Sequence, residues 1–179
     1  SLPERWIETV SRLLHDAGIR LIAGLDYHHG KKSETHSEAV LVLADDRLGF
    51  RSSVQIRQAK SLPAAGEEEN LLHMFGLKWT EHLPGGRKPV YNHGGFCFGV
   101  LVCSELQNIA HRQQFQGNVD CMMVLSWNLD LETFAALVES ASLDVHAHIA
   151  LVNNRRYGDS RVRSPAKRDF MRDTCRLRG

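Results

Sequence analysis

Three short apolar runs separated by two helical stretches constrain the fold of this 179-residue chain most strongly. Each run has the length of one strand, and continuous apolar runs of this kind are typical of strands buried inside a parallel sheet. The runs are Phe96–Cys103, Val119–Leu125 and His148–Val152, and the helical stretches between them are Glu105–Gln116 and Leu131–Val145. Alternation of strand and helix with short links predicts an α/β fold built in layers.

The first half of the chain predicts one helix and three further strands. Apolar residues recur at helical spacing from Trp6 to Leu14, and Gly18 ends this helix. The polar stretch His28–His36 predicts a loop, and Asp45–Arg47 predicts a turn. Residues 61–95 are rich in proline and glycine and predict a long irregular region, which in a compact domain is usually functional. The three predicted strands are Arg20–Leu25, Ala39–Leu43 and Ser53–Arg57.

Composition limits the classes of function that the chain can have. It is 42% hydrophobic and 24% charged with a formal net charge of +1, so the overall charge favours neither a nucleic acid nor a membrane as partner. No apolar run reaches the roughly 18 residues that a membrane span needs. The four cysteines and ten histidines show neither CxxC nor HExxH spacing. We therefore expect reduced cysteines, a cytoplasmic location, and neither a metal nor another cofactor.

The cysteine that ends the first apolar run is the candidate nucleophile. The residues after Cys103 begin a helix, and backbone N–H groups at a helix start can stabilise a thiolate or a developing oxyanion. Without further context, Cys103 is more typical of a buried structural cysteine. The other cysteines lie within strands or in a polar tail, and we expect Cys97, Cys121 and Cys175 not to be catalytic.

Polar residues near other predicted strand ends are candidate partners for this cysteine. Lys60 follows a strand and could stabilise negative charge on a tetrahedral intermediate, although a lone lysine is more typical of a solvated surface. Trp127 and Asn128 follow the second apolar run, and Asn153 follows the third. Because ligand sites in α/β sheets lie at the carboxyl ends of strands, we predict that these three residues bind substrate.

In their order along the chain, these motifs resemble the nitrilase superfamily of carbon–nitrogen hydrolases. Lys60 with Glu67 resembles the lysine motif of the family and the acidic residue that follows it. The run Phe98–Cys103 with Glu105 resembles the nucleophile strand. Three further segments extend the resemblance along nearly the whole chain: Gly18–Gly24, Asn118–Ser126 and Ile149–Asn153.

The resemblance implies an αββα sandwich and a Glu-Lys-Cys triad. Cys103 would attack the carbon of an amide or nitrile, and Lys60 would stabilise the tetrahedral intermediate. Glu67 and Glu105 would support these groups, and a further glutamate would move protons. We expect residues 1–179 to form one nitrilase-like domain that is incomplete at both termini and belongs to a longer polypeptide.

The proton-transferring glutamate has two candidate positions. The family carries it in a Pro-Glu pair, and Pro3-Glu4 offers that pair, so Glu4 is the candidate within this chain. Glu4 also fits the first turn of the predicted helix, where the helix dipole favours an acidic residue. We expect this second arrangement, with the catalytic glutamate lying before Ser1.

Two segments resemble a divergent branch of the family. Leu25–Tyr27 and Asn153–Ser160 are similar to nitrilase-like domains fused to bacterial reverse transcriptases of antiphage defence. From these resemblances we expect a small-molecule amide or nitrile substrate, a homo-oligomer and a fused polymerase domain.

Two other functions remain open at the level of sequence. The chain could be a non-catalytic nitrilase-like module that serves assembly or regulation inside a larger protein. The basic C-terminal segment 155–179 holds nine Lys/Arg and three Asp, so it could contact nucleic acid through phosphates. The same segment also fits a solvated, partly disordered tail whose aspartates pair locally with the arginines, and we favour this second interpretation.

Overall fold

The computed structural model describes residues 2–29, 33–47, 49, 52–80 and 87–177, which form two β-sheets and their flanking helices. The helices are α1 (Leu2–Ala17), α2 (Glu67–Phe75), α3 (Ile109–Phe115) and α4 (Leu131–Val145), with short 3₁₀ helices at Cys103–Gln107 and Asp169–Met171. The strands of the first sheet are β1 (Leu21–His29), β2 (Glu34–Asp45), β3 (Ser52–Ala59) and β4 (Lys78–Trp79). Those of the second sheet are β5 (Val90–His93), β6 (Phe96–Val102), β7 (Cys121–Ser126), β8 (His148–Asn153), β9 (Ser160–Arg163) and β10 (Asp173–Leu177).

The first sheet is antiparallel around the long central strand β2. β1 and β3 pair antiparallel with β2 on its two sides, and the short β4 pairs parallel with its beginning. The register between β1 and β2 shifts between Leu25 and His28, which marks a β-bulge. A bulge bends its strand and redirects the side chains at that point, and Asp26 and Tyr27 lie there.

The second sheet has the order β10-β9-β8-β7-β6-β5. Its centre is parallel, because α3 and α4 connect β6 to β7 and β7 to β8. The outer strands on both sides pair antiparallel. The carboxyl ends of β6, β7 and β8 therefore meet along one edge of the sheet.

Three groups of buried apolar residues hold four layers together. Val40 and Val42 of β2 pack against Ile7 of α1 on the outer face of the first sheet. The opposite faces of β2 and β6 form the core between the two sheets, and α3 and α4 pack on the far side of the second sheet. The predicted αββα layering is confirmed. None of the described helices has the length and apolarity needed to cross a membrane.

The prediction of a loop over His28–His36 is wrong, because most of the described residues in this stretch belong to strands. β1 continues to His29 and β2 begins at Glu34, while residues 30–32 lie outside the described part of the chain. The polar residues of this stretch made it look irregular, yet Thr35 and His36 are buried in paired backbone. Backbone pairing with a neighbouring strand outweighed the polar composition.

Two further predictions need correction within the described residues. The region 61–95 contains helix α2 and strands β4 and β5, so it is less irregular than its proline and glycine content predicts. The predicted helix Glu105–Gln116 is divided at Asn108, whose side chain accepts a hydrogen bond from the Ala110 N–H and caps α3. An N-cap of this kind starts a new helix, which separates the turn after Cys103 from α3.

Candidate active site

Cys103 lies on a strained turn directly after β6. Its φ of 51° is in the left-handed region, which costs a residue other than glycine roughly 1–2 kcal/mol. The thiol is half-buried, and the Ser126 hydroxyl at the end of β7 donates a hydrogen bond to its Sγ over 3.7 Å. Strained residues of this kind cluster at active sites. Here the strained residue lines a cavity.

The cavity has a volume of about 560 Å³ and lies where the carboxyl ends of β6, β7 and β8 approach β1. Five of the eight residues that the sequence singles out line it: Cys103, Lys60, Glu67, Trp127 and Asn153. The other three, Glu4, Glu105 and Asn128, do not. A volume of this size is within the range of small-molecule sites.

Lys60 is buried rather than solvated. Its residue is 2% exposed, and its Nζ lies 2.5 Å from Glu67 Oε2 and 5.3 Å from the centre of the Trp79 ring. Its backbone N–H donates to the Ser37 carbonyl over 2.8 Å. The ammonium is thus fixed at the wall of the cavity by an ion pair and a cation–π contact.

Glu67 is the residue that orients this lysine. In addition to Lys60, its carboxylate accepts hydrogen bonds from the Tyr27 hydroxyl over 3.1 Å and from the Ala64 N–H over 2.6 Å. Three donors on one carboxylate fix its position as well as its charge. The supporting role that the family resemblance implies for Glu67 fits this geometry.

The bulge in β1 adds two cavity residues that the sequence interpretation did not assign to the site. Loss of hydration on partial burial, followed by the negative charge of Glu67, raises the pKa of Asp26 above its ordinary value. The same two causes raise the pKa of Tyr27, so its hydroxyl stays protonated and donates to Glu67. Asp26 and Tyr27 directly follow an apolar strand, which is the sequence signal that could have identified them.

Glu4 lies away from the cavity, in the first turn of α1. Its carboxylate pairs with Arg57 over 3.1 Å, and Arg57 also pairs with Glu38 over 2.5 Å. A backbone hydrogen bond at the start of the helix lowers the pKa of Glu4 from its ordinary value. The structure thus places Glu4 in the expected first turn of the helix, paired with Arg57 and outside the residues that line the cavity.

The predicted substrate-binding residues have different surroundings. The Asn153 side chain accepts from the Asn128 N–H over 2.9 Å and donates to the carbonyls of Asn128 and Gly158, over 2.9 and 3.0 Å. Asn153 thereby joins the ends of β7 and β8, and its amide shapes the rim of the cavity. Trp127 is 55% exposed at the mouth of the cavity. Asn128 contributes backbone to this junction and does not line the cavity, and its assignment as a substrate-binding residue stays a prediction.

Four arginines of the basic C-terminal segment pair with acidic residues. Arg161 and Arg176 both pair with Asp159, the second over 2.8 Å. Arg163 pairs with Asp173 over 2.6 Å, and Arg163 and Arg172 share Glu139 of α4. Local aspartate pairing therefore holds, but the expectation of partial disorder is wrong, because residues 160–163 and 173–177 are strands β9 and β10. Paired arginines have little positive charge left for phosphates.

Comparison with known proteins identifies the fold. A scan against protein-family models and a search of curated proteins gave no match. Among solved structures, an amidase from a Nesterenkonia species is similar with a TM-score of 0.66 and 18% identity over 96% of this chain and 61% of that chain. The fold is therefore that of a nitrilase-superfamily amidase, and this chain spans about three-fifths of the length of the solved proteins that it matches.

Two variants of the amidase from Nesterenkonia sp. AN1 are similar as well. A cysteine-to-alanine variant in complex with butyramide has a TM-score of 0.67 and 17% identity, over 96% of this chain and 62% of that chain. A glutamate-to-leucine variant, with a TM-score of 0.67 and 18% identity over the same shares, shows covalent addition of the acetamide moiety of fluoroacetamide at the active-site cysteine. At these identities the similarity establishes the fold alone.

Proposed function

We propose that this chain carries the nucleophile and the oxyanion-stabilising lysine of a carbon–nitrogen hydrolase that acts on a small amide or nitrile. The observation that carries the proposal is the shared cavity: Cys103 on its strained turn and the buried ammonium of Lys60 open into the same space. The fold supports it, since similar solved structures are amidases with an active-site cysteine.

The proposed reaction proceeds through a covalent thioester. Cys103 Sγ bonds to the carbonyl carbon, and the electron pair of the C=O double bond moves to oxygen, where the Lys60 ammonium offsets its charge. The C=O double bond then re-forms as the C–N bond breaks, and the nitrogen leaves with a proton as ammonia or an amine. Water next attacks the thioester, releases the acid and returns a proton to the thiol. A nitrile would give a thioimidate at the first step.

The proton transfers need a carboxylate that Glu4 does not supply. We propose that a glutamate preceding Ser1 in a longer polypeptide fills this role, as the family resemblance implies. Without it, the chain loses proton transfers worth typically 10²–10⁴-fold in rate. We therefore expect no measurable ammonia release from amides by the 179-residue chain, with or without Glu4→Gln. Turnover that disappears in Glu4→Gln would return Glu4 to the triad.

The cavity supports a small substrate with an apolar acyl group. Its lining includes the polar side chains of Asp26, Lys60 and Glu67. The apolar residues Leu25, Leu125 and Val152 line it as well. Such a lining fits an uncharged acyl chain placed next to a polarised carbonyl. Butyramide and acrylamide, which bind variants of the similar amidase, are suitable probes.

Covalent labelling with fluoroacetamide tests the proposed nucleophile independently of the glutamate that would transfer protons. The similar amidase is labelled even with its glutamate replaced by leucine, so the reaction does not require that residue. We expect one acetamide group per chain, located at Cys103 by peptide mass spectrometry. A Cys97→Ser variant should label normally, whereas Cys103→Ser should not. Equal labelling of Cys103 and the exposed Cys175 would refute the assignment.

Two broader parts of the proposal concern the whole protein. The resemblance to defence-associated fusions implies a polymerase domain in the same polypeptide, and the family resemblance implies a homo-oligomer. Light scattering of the purified chain tests the second part, and a monomer at all concentrations would contradict it. A non-catalytic module is the alternative function, and a Cys103 no more reactive than Cys175 would favour it.

A further inference from the structure

A fully buried ion pair lies behind the turn that carries Cys103. Lys88 Nζ and Glu105 Oε1 are 2.5 Å apart, and both side chains are 0% exposed. Moving two charges out of water is costly, and a buried pair seldom repays this cost in stability. The function of this pair must therefore be sought in its other contacts.

The carboxylate of Glu105 joins the two segments that carry the proposed catalytic groups. Its Oε2 accepts a hydrogen bond from the N–H of Val102 over 2.8 Å, and Val102 directly precedes Cys103. Its Oε1 accepts from the N–H and the hydroxyl of Ser61, over 2.6 and 2.7 Å, and Ser61 directly follows Lys60. One side chain thus fixes the backbone beside each group.

Lys88 completes the arrangement from the other side of Lys60. Its Nζ donates to the carbonyl of Ala59 over 3.2 Å, so both neighbours of Lys60 in sequence are held by the ion pair. The backbone N–H of Lys88 donates to the Gln114 side chain of α3 over 2.9 Å. The pair is therefore anchored to a helix of the second sheet as well as to both active-site segments.

We propose that Lys88 and Glu105 are positioning residues that set the separation between the Lys60 ammonium and Cys103 Sγ. This inference rests on the proposed function. Catalytic groups must be held within about 0.5 Å of their productive geometry, and a displacement of 1 Å can cost on the order of 10²-fold in rate. The two groups come from different sheets, and the Glu105 carboxylate is a direct hydrogen-bonded link between their backbones.

Acylation by p-nitrophenyl acetate measures this positioning. The thiol proton of Cys103 passes to the buffer, Sγ bonds to the acetyl carbon, and nitrophenolate leaves without needing a proton. A general base in the protein is therefore not essential to this step when the buffer takes up the thiol proton. Two double variants remove both buried charges. Lys88→Met/Glu105→Gln keeps one side-chain oxygen, which can accept from the N–H of either Val102 or Ser61, and Lys88→Met/Glu105→Leu keeps none. We expect the glutamine variant to acylate faster than the leucine variant, and the leucine variant to acylate at least about tenfold more slowly than the parent at saturating ester.

The two variants separate positioning from general loosening of the fold. Loss of positioning alone lowers the limiting acylation rate and leaves the ester concentration for half-saturation unchanged. General loosening of the fold also exposes the buried Cys121 to alkylation. Equal limiting rates in the two folded variants would overturn the proposal. Backbone hydrogen exchange at Ser61 and Val102 gives an answer even if the parent shows no acylation, which by itself would count against the proposed function. Protection that is lost at both amides in the leucine variant, and at no more than one of them in the glutamine variant, supports the link. Unchanged protection in the leucine variant contradicts it.

Discussion

The left-handed backbone of the half-buried Cys103 predicts that glycine destabilises the protein less at this position than at most others. At most positions, replacement of alanine by glycine destabilises a protein, by roughly 0.5–1 kcal/mol inside a helix or strand. At φ 51° the Cβ of alanine is strained, and glycine relieves roughly 1–2 kcal/mol. We therefore compare Cys103→Gly with Cys103→Ala, since both remove the thiol and differ only in the Cβ.

Ser126 provides the matched control for this comparison. It is half-buried at the end of the neighbouring strand β7, and its hydroxyl contacts Cys103 Sγ. Ser126→Gly should be less stable than Ser126→Ala by the ordinary strand penalty. At each position, we take the free energy of unfolding of the alanine variant minus that of the glycine variant as the glycine penalty. This penalty should be smaller at position 103 than at position 126 by about 1–2 kcal/mol. At position 103 it should therefore vanish or change sign.

Urea unfolding followed by circular dichroism measures the four free energies of unfolding. The comparison requires equal slopes against denaturant, because a changed slope indicates a changed unfolded or native state. Equal glycine penalties at the two positions would show that Cys103 is unstrained. The turn would then carry no strain that marks it as a functional position.

Three further predictions follow from packing and ionisation. A Cβ added at Gly99 of β6 would lie 2.4 Å from the ring of the fully buried Phe115, so Gly99→Ala should lower the free energy of unfolding by about 1–3 kcal/mol in a urea titration; a loss below about 0.5 kcal/mol would contradict this close packing. Burial raises the pKa of Cys121 to about 11, so iodoacetamide at neutral pH should leave it unmodified while it labels Cys175, and equal labelling would be inconsistent with the burial. Burial lowers the pKa of His111, so this histidine is protonated in the unfolded chain before it is protonated in the folded chain as the pH falls. Below about pH 6.5, His111 should therefore lower the free energy of unfolding by at most ~1.4 kcal/mol per pH unit. An equal decrease in His111→Gln would show that other groups cause the effect.

The second half of the fold could be predicted because continuous apolar runs and helical spacing are visible in its sequence. Helix α4 was predicted at its observed bounds, and β6, β7 and β8 to within about two residues, since continuous apolar runs and helical spacing are local signals. The strand-to-helix turn at Cys103 followed from the same pattern. The first sheet was harder to predict, because β2 carries polar residues such as Thr35 and His36 that are buried in the paired structure.

The surroundings of the site were less predictable than its central residues. Cys103 and Lys60 stand at strand ends and could be singled out from the sequence. Lys88 lies in a proline- and glycine-rich segment without periodicity, and its partner Glu105 is remote along the chain, so only the tertiary structure brings the two charges together. Long-range pairing of this kind leaves no local signal in a single sequence.

The acylation rate of Cys103 in a Lys60→Met variant shows whether Lys60 acts on the reaction at Cys103. Attack on p-nitrophenyl acetate places negative charge on the carbonyl oxygen, and removal of one oxyanion donor typically costs 10²–10³-fold in rate. We predict a stoichiometric release of nitrophenolate by the parent chain and its loss in Cys103→Ala. In Lys60→Met, shown to be folded by circular dichroism, we predict acylation about 10²-fold slower. Acylation of Lys60→Met at the parent rate would contradict the proposed role of Lys60, because the lysine would then not act on the reaction at Cys103.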